Sequence, residues 1–341
     1  MNPIAPTLNL LRAQVADLTA RAGRRVDVAA MGVLDRLGVL PLAPPGLISP
    51  NGACRMFRCA DGWMALNLAR EEDHSLIPAW LGCEYGEDPW AMIHRLGEAQ
   101  TRAELVAGAS LLGLAAGAVG EVVRDTLAAP HLCFGPGALR QDRQLKVIDL
   151  SALWAGPMCG AILVAMGADV LKVESPRRPD PTRATTPDFF ARLNGGKREI
   201  SLDLSSVDGR ARMLDHVLAA DLLITGARPR ALIALGLGPA AIFAANPGLV
   251  WVAVTGYGWA EPMGQRVAFG DDAAAAGGLV RWMPEGVPHF LGDALADPVT
   301  GLAAAIGALT AVEAGGGVMV DVSLAGSAAG AAVHCGWRRP E

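Results

Sequence analysis

The rhythm of hydrophobic and polar positions changes near residue 140. Before that point, Asn9 to Ala22 and Val26 to Leu37 repeat apolar residues at helical spacing, with arginines on the outer face. CRMFRCADGWMALNL alternates as a hairpin does, with Ala60, Asp61 and Gly62 in the turn. Helical patterns follow over 72–82, 88–97, 101–113 and 119–127. PLAPPGLISPNG is a loop by its prolines and glycines, and HLCFGPGALRQDRQ is a charged connection that divides 1–140 from 141–341. From Leu145, short apolar runs alternate with helical ones. KVIDLS, DVLKVES, REISLDL, DLLIT and GLVWVAVTGYG read as strands, whereas AGPMCGAILVAMGA, VDGRARMLDHVLAA and PRALIALG read as helices. That alternation predicts an α/β fold, a doubly wound parallel-sheet (Rossmann-like) large domain, joined to a smaller α+β domain. In such sheets ligands sit at the carboxyl ends of the strands, where helix N-termini face phosphates. ALADPVTGLAAAIGALTA, 294–311, reads as a small-residue helix with Asp297 as N-cap and Pro298 in the first helical position.

Composition narrows the classes. The chain has 341 residues, 52% hydrophobic and 18% charged, enough for a large core and about two domains. With a formal net charge of −5 and no dense Lys/Arg cluster, nucleic-acid binding is not expected, though a basic pocket for a small anion is compatible. The six cysteines are scattered, and Cys54 and Cys59 have no second pair at zinc-ligand spacing, so no metal is expected. No apolar run reaches membrane-spanning length, and the first residues lack a signal-peptide core. The reading is a soluble, cytoplasmic protein with no membrane partner.

Motifs for common α/β chemistry are missing. The turn after the first strand of the second part, SALWAGPMCG, carries Gly156 and Gly160 without G-x-G-x-x-G, although Glu174 follows the next strand as a ribose partner does. A dinucleotide site is therefore disfavoured.

A different set of blocks resembles the family III CoA transferases, the CaiB/BaiF family. They are VIDLSALWAGPMCGAILVAMGADVLKVESPRRPDPTR, LNGGKREISLDLSSVDGRARMLDHVLAADLLI, ARPRALIALGLG, NPGLVWVAVTGYGWAEPMGQR and GVMVDVSL, in family order over 145–324. ADGWMALNL and LLGLAAGAVGEVVRDTLAAPHL resemble the family's smaller domain, which in typical members follows the large one. The order therefore resembles a circular permutation, with 1–140 matching the family's C-terminal part and 141–341 its CoA-binding, catalytic part. Permutation is tolerable where it joins elements already adjacent at exposed loops.

The resemblance implies the family III fold, an interlocked homodimer, and acyl-CoA and a carboxylic acid as substrates. It also implies an aspartate that attacks the thioester and carries the acyl group as an anhydride. Counting back from Gly301 assigns that role to Asp297; the LGD of HFLGDALADP offers Asp293 instead. A helix N-terminus would keep such a carboxylate ionised. For CoA, the resemblance assigns Trp154, Ala155, Gly156 and Pro157 to the thioester region and Arg183, Lys197 and Arg198 to the phosphates, with Arg228 and Arg230 as nearby substitutes where family residues are replaced. Trp154 replaces the glutamine of the formyl-CoA transferase branch, which argues against oxalate or formate chemistry. Gly226 and Ala234 replace a family asparagine and arginine, which leaves open an inactive CoA-binding homologue. The racemase branch has a histidine where this chain has VAFGDD; Asp271, Asp272 or His289 would have to supply a base for the alternative, an acyl-CoA isomerase or racemase.

Overall fold

A computed structural model of the protein describes residues 2–84, 86, 88–139 and 143–337. Its twelve strands are β1 (Cys54–Cys59), β2 (Gly62–Asn67), β3 (Ala115–Ala118), β4 (His131–Cys133), β5 (Lys146–Leu150) and β6 (Asp169–Glu174), followed by β7 (Arg198–Ser201), β8 (Leu222–Thr225), β9 (Val250–Thr255), β10 (Val280–Trp282), β11 (Pro288–Phe290) and β12 (Val318–Ser323). Seven of them form one sheet in the order β4-β12-β9-β8-β5-β6-β7, parallel except for the edge strand β4. The chain builds outward from β5 to β7, then returns to the other side of β5 with β8 and continues to β12. The order therefore reverses between β5 and β8, and the crevice beyond their carboxyl ends is where this architecture binds ligands.

The strands are apolar on both faces because both faces are covered. Val147, Ile224, Val252 and Val320 point into one layer with the helices Ala5–Arg21, Ala155–Met166 and Ala296–Glu313. Ile148, Leu223, Trp251 and Met319 point into the other, against Met213, Val217, Leu232 and Phe243. The Ala296–Glu313 helix is built from alanine and glycine for a packing reason. A Cβ on Gly301 would lie 2.8 Å from Met158 Sδ and 3.0 Å from the Ala155 carbonyl oxygen, so only glycine lets these two helices approach so closely.

The smaller body is the antiparallel sheet β1-β2-β3. One face buries Phe57, Met64 and Leu66 against the helices Ile77–Leu81, Pro89–Gly97 and Arg102–Leu112. Its other face buries Cys54, Met56 and Ala65 with Ala275, Val280 and Phe290, which docks it on the Gly270–Ala276 helix. Segment 1–140 thus contributes to two cores. Residues from Ile4 to Val33 pack with the parallel sheet, and β4 extends it. Residues 140–142, where the sequence places the domain boundary, lie outside the described residues.

Two sequence expectations change. Val26–Leu37 forms only a 3-10 turn, Val28–Met31, because left-handed Gly32 (φ 64°) ends it. Residues 119–127 form a turn and an irregular segment instead of a helix: the Gly120 and Val122 N–H groups donate to the carbonyls of Ala275 and Ala276 at 2.9 Å. Among the described residues, no helix is long and apolar enough to cross a membrane.

Candidate active site around Asp297

The Ala296–Glu313 helix starts one residue before Asp297, which sits in the first turn and not at the N-cap; the cap position, Leu295, supplies no side-chain bond. This corrects the capping expectation. The carboxylate does not serve its own helix. It turns toward the start of the Ala155–Met166 helix, where the Ala155 N–H favours its charged form. It also lies over Gly270, where a Cβ would overlap its Oδ2, so this corner of the site depends on a residue without a side chain.

Four aspartates gather here, from one loop and two helix starts. Asp271 and Asp272, at the start of the Gly270–Ala276 helix, are 2% and 0% exposed, and Asp293 is 9% exposed. Asp297 is only half-buried, which leaves it the acid of the four that an external molecule can reach. The other three are occupied from within. Asp293 holds the Arg36 guanidinium in a two-pronged ion pair at 2.6 and 2.7 Å and accepts from Asn51 Nδ2 at 2.7 Å. Asp271 accepts from the same Asn51 nitrogen at 2.6 Å and from the Ala294 N–H at 2.7 Å. Asp272 accepts the Phe269 N–H at 2.9 Å. Asp293, the alternative nucleophile, is thus committed to Arg36 and Asn51.

One guanidinium shared among Asp271, Asp293 and Asp297 cannot neutralise them all. Burial pushes the Asp297 carboxyl up to about 7, with Asp271 and Asp293 adding repulsion, while Arg36 and the Ala155 N–H oppose the rise. Burial likewise lifts Asp271 to about 6 and Asp272 well above the carboxylate range. The sequence reading that a helix N-terminus holds Asp297 firmly ionised is therefore corrected: desolvation outweighs it. The consequence is chemical. A carboxylate that ionises near neutrality is more basic, hence more nucleophilic, than an ordinary surface aspartate.

Arg36 and Asn51 carry almost no sequence signal of a site role. They lie 257 and 242 residues from Asp293, in a segment that reads as a helix end and a Pro/Gly loop. The only local hint is an arginine and an Asn-Gly pair flanking that loop. The same segment fixes Trp154, whose indole N–H donates to the Val33 carbonyl at 2.8 Å beneath the Arg36 guanidinium, 5.1 Å from the ring centre.

The expected CoA contacts separate into groups. Trp154, Ala155, Gly156 and Pro157 are all buried and open the helix that Asp297 faces. Lys197 is corrected as a phosphate ligand. Its side chain is 0% exposed and paired with Asp149 at 2.7 Å, and it donates to the Pro157 carbonyl at 2.9 Å, so it anchors the helix start. Arg198 is exposed but paired with Asp169 at 2.8 Å. Arg183 is exposed, bridges Glu174 and Glu199, and lies over Phe190. Arg228 differs. It follows β8 at the switch-point crevice, where burial lowers its pKa and repulsion from Arg230, Arg70 and Arg178 adds to the effect. Arg70 is already paired with Asp73, so an anion here would meet the guanidiniums of Arg228, Arg230 and Arg178. His289 lies half-buried on β11, opposite Arg281 on β10, with no bond to Asp297. A groove of about 860 Å³ between the Ala5–Arg21 helix and residues 125–131 contains none of the four aspartates.

The sequence profile of CoA-transferase family III matches residues 143–334. The chain belongs to that family. Succinyl-CoA--D-citramalate CoA-transferase of Chloroflexus aurantiacus is 33% identical over 196 residues, covering 53% of this chain and 48% of that protein. Succinate--glutarate CoA-transferase of Agrobacterium fabrum is 32% identical over 199 residues, covering 53% and 50%. The chain thus spans about half the length of the curated relatives it matches. Among solved structures, a CaiB/BaiF family protein from Brucella suis aligns with a TM-score of 0.51 at 31% identity, over 55% of this chain and 54% of that one. A hypothetical protein from Mycobacterium tuberculosis aligns with a TM-score of 0.52 at 31% identity, over 57% of each. The family III fold follows from these matches together with the parallel sheet.

Proposed function

We propose that the protein is an acyl-CoA:carboxylate CoA-transferase in which Asp297 is the nucleophile. An ionised Asp297 oxygen attacks the thioester carbonyl, the C–S bond breaks, and the CoA thiolate leaves an acyl–aspartyl anhydride. The thiolate then attacks the aspartyl carbonyl, releasing the first acid and leaving Asp297 as its CoA thioester. The incoming carboxylate attacks that thioester to form a second anhydride. Attack of the thiolate on its acyl carbonyl frees Asp297 and the new acyl-CoA. The observation that carries this reading is that Asp297 alone among the clustered acids is open to solvent while still strongly desolvated. The Ala155 N–H beside it is suited to the oxyanion of each tetrahedral step. The Arg178, Arg228 and Arg230 cluster suits the phosphates of CoA.

The isomerase reading needs an exposed base; Asp271 and Asp272 are buried with internal partners, and half-buried His289 sits on β11 with no bond to Asp297. The permuted domain order, homodimeric assembly and cytoplasmic location belong to the same proposal. The test compares Asp297→Asn with Asp293→Asn in exchange of label between an acyl-CoA and its free acid. Loss of exchange only in Asp297→Asn is expected, with no deuterium entering the α-carbon from heavy water. Exchange surviving in a folded Asp297→Asn protein would defeat the proposal.

A further inference from the structure

Among the described residues, two that are not glycine have φ in the left-handed region, Leu153 at 70° and Ala294 at 45°. Both border Asp297. Ala294 donates its N–H to Asp271 at 2.7 Å, and its carbonyl accepts the Asp297 N–H at 3.0 Å. Leu153 lies two residues before Ala155, in the turn leading from β5 into the Ala155–Met166 helix. A leucine does not hold this conformation unaided, so its surroundings must impose it.

They do so through a buried ion pair. Both oxygens of Asp180 accept the Leu153 N–H, at 3.2 and 3.3 Å. The Lys172 ammonium donates to the Ser151 carbonyl at 2.9 Å and pairs with Asp180 at 3.4 Å. Both side chains are 0% exposed. Asp180 also accepts the Thr182 N–H at 3.1 Å and hydroxyl at 2.6 Å, and its own N–H donates to Glu174 at 3.2 Å. From the other side, Asp149 accepts the Ser151 N–H at 2.9 Å and the Ser151 hydroxyl. A buried ion pair contributes little net stability, and its better-attested use is to fix one conformation among several. The conformation fixed here aims the Ala155 N–H.

We propose that Lys172 and Asp180 are positioning residues for the transfer: by holding Leu153 left-handed, they keep the Ala155 N–H on the Asp297 carboxylate and on the oxyanions formed there. The proposal rests on Asp297 being the nucleophile, and its test separates the two claims. The pair is replaced by apolar residues of similar size, Lys172→Met with Asp180→Leu, which removes the Leu153 acceptor without leaving a lone charge buried. Asp180→Asn is the milder second variant should the first not fold. In both, Arg36, Asp271 and Asp293, the charged groups facing Asp297, are untouched.

The ionisation of Asp297 is followed by carbon NMR of protein labelled at the aspartate carboxyl carbons, assigned by its absence in Asp297→Asn. Losing one N–H donor to a charged carboxylate should move the midpoint to higher pH by about one unit. The acid limb of kcat should move with it, cutting turnover about tenfold near pH 6 with little change in KM. Adding Leu153→Gly, where φ near 70° carries no side-chain penalty, should return part of the shift. A folded variant whose Asp297 midpoint is unchanged or lower, whatever its melting temperature, overturns the positioning role. The midpoint is read without turnover, so a wild-type protein that forms no acyl adduct would sink the nucleophile claim and leave the turn to be judged on the titration alone.

Discussion

Replacing Asp297 by asparagine should make the protein more stable while abolishing transfer. Burial raises the carboxyl from its ordinary 3.8 to about 7, so the folded state binds this proton more tightly than the unfolded chain does. Below pH 4 both states are protonated and the group is neutral in the balance. As pH rises from 4 to 7, the unfolded chain ionises first and the folded state loses ground. Three units at about 1.4 kcal/mol each give a penalty of about 4 kcal/mol, complete above pH 7. Asp297 is only half-buried, and solvent screening brings the expectation to roughly 2–4 kcal/mol. Asparagine has the size of the protonated acid and no charge to desolvate. Urea denaturation of both proteins should therefore show near-equal stability at pH 4 and a gap that widens to pH 8 in favour of Asp297→Asn. A variant less stable than the wild type at pH 8, or a gap that does not vary with pH, would refute the desolvation argument.

Arg36→Met should lower stability by roughly 3–5 kcal/mol, because Asp293 would stay buried with its charge unpaired, and Asp293→Leu in the same protein should recover most of it. Its pH–rate profile should also shift upward, since Arg36 is the cation that opposes the rise at Asp297. Lys197→Met should destabilise by a similar amount through the buried Asp149 charge, yet leave the KM for acyl-CoA unchanged in whatever fraction stays folded. Arg228→Ala should do the reverse: KM for acyl-CoA rises on the order of tenfold and its salt dependence weakens, while melting is unaffected.

Much of the large domain is legible in the sequence because its strands are buried on both faces. Runs such as Leu222–Thr225 and Val250–Thr255 are apolar up to their closing threonine. Segments that dock across the molecule are harder. The apolar residues Val26, Val28 and Val33 suggest a helix face, but they reach the core from a loop. Val119 and Val122 suggest another, but glycine at 120 lets that segment pair with the backbone of 275–276. The site divides in the same way. Asp297 can be found from its neighbours in sequence, whereas Lys197 has the right residue type in the right motif and a different task. Arg36, Asn51 and Asp180 act through partners 257, 242 and 27 residues away, and no local pattern marks such contacts.

The proposed reaction runs through a covalent bond to one side chain. The measurement is mass spectrometry of the intact protein and its peptides after brief mixing with an acyl-CoA, with hydroxylamine added to part of the sample. A CoA or acyl adduct is expected on the peptide carrying Asp297, converted by hydroxylamine to the hydroxamate at that residue and absent from Asp297→Asn. An active protein whose adduct maps to Asp293 or Asp271, or that turns over with no adduct at any aspartate, would contradict it.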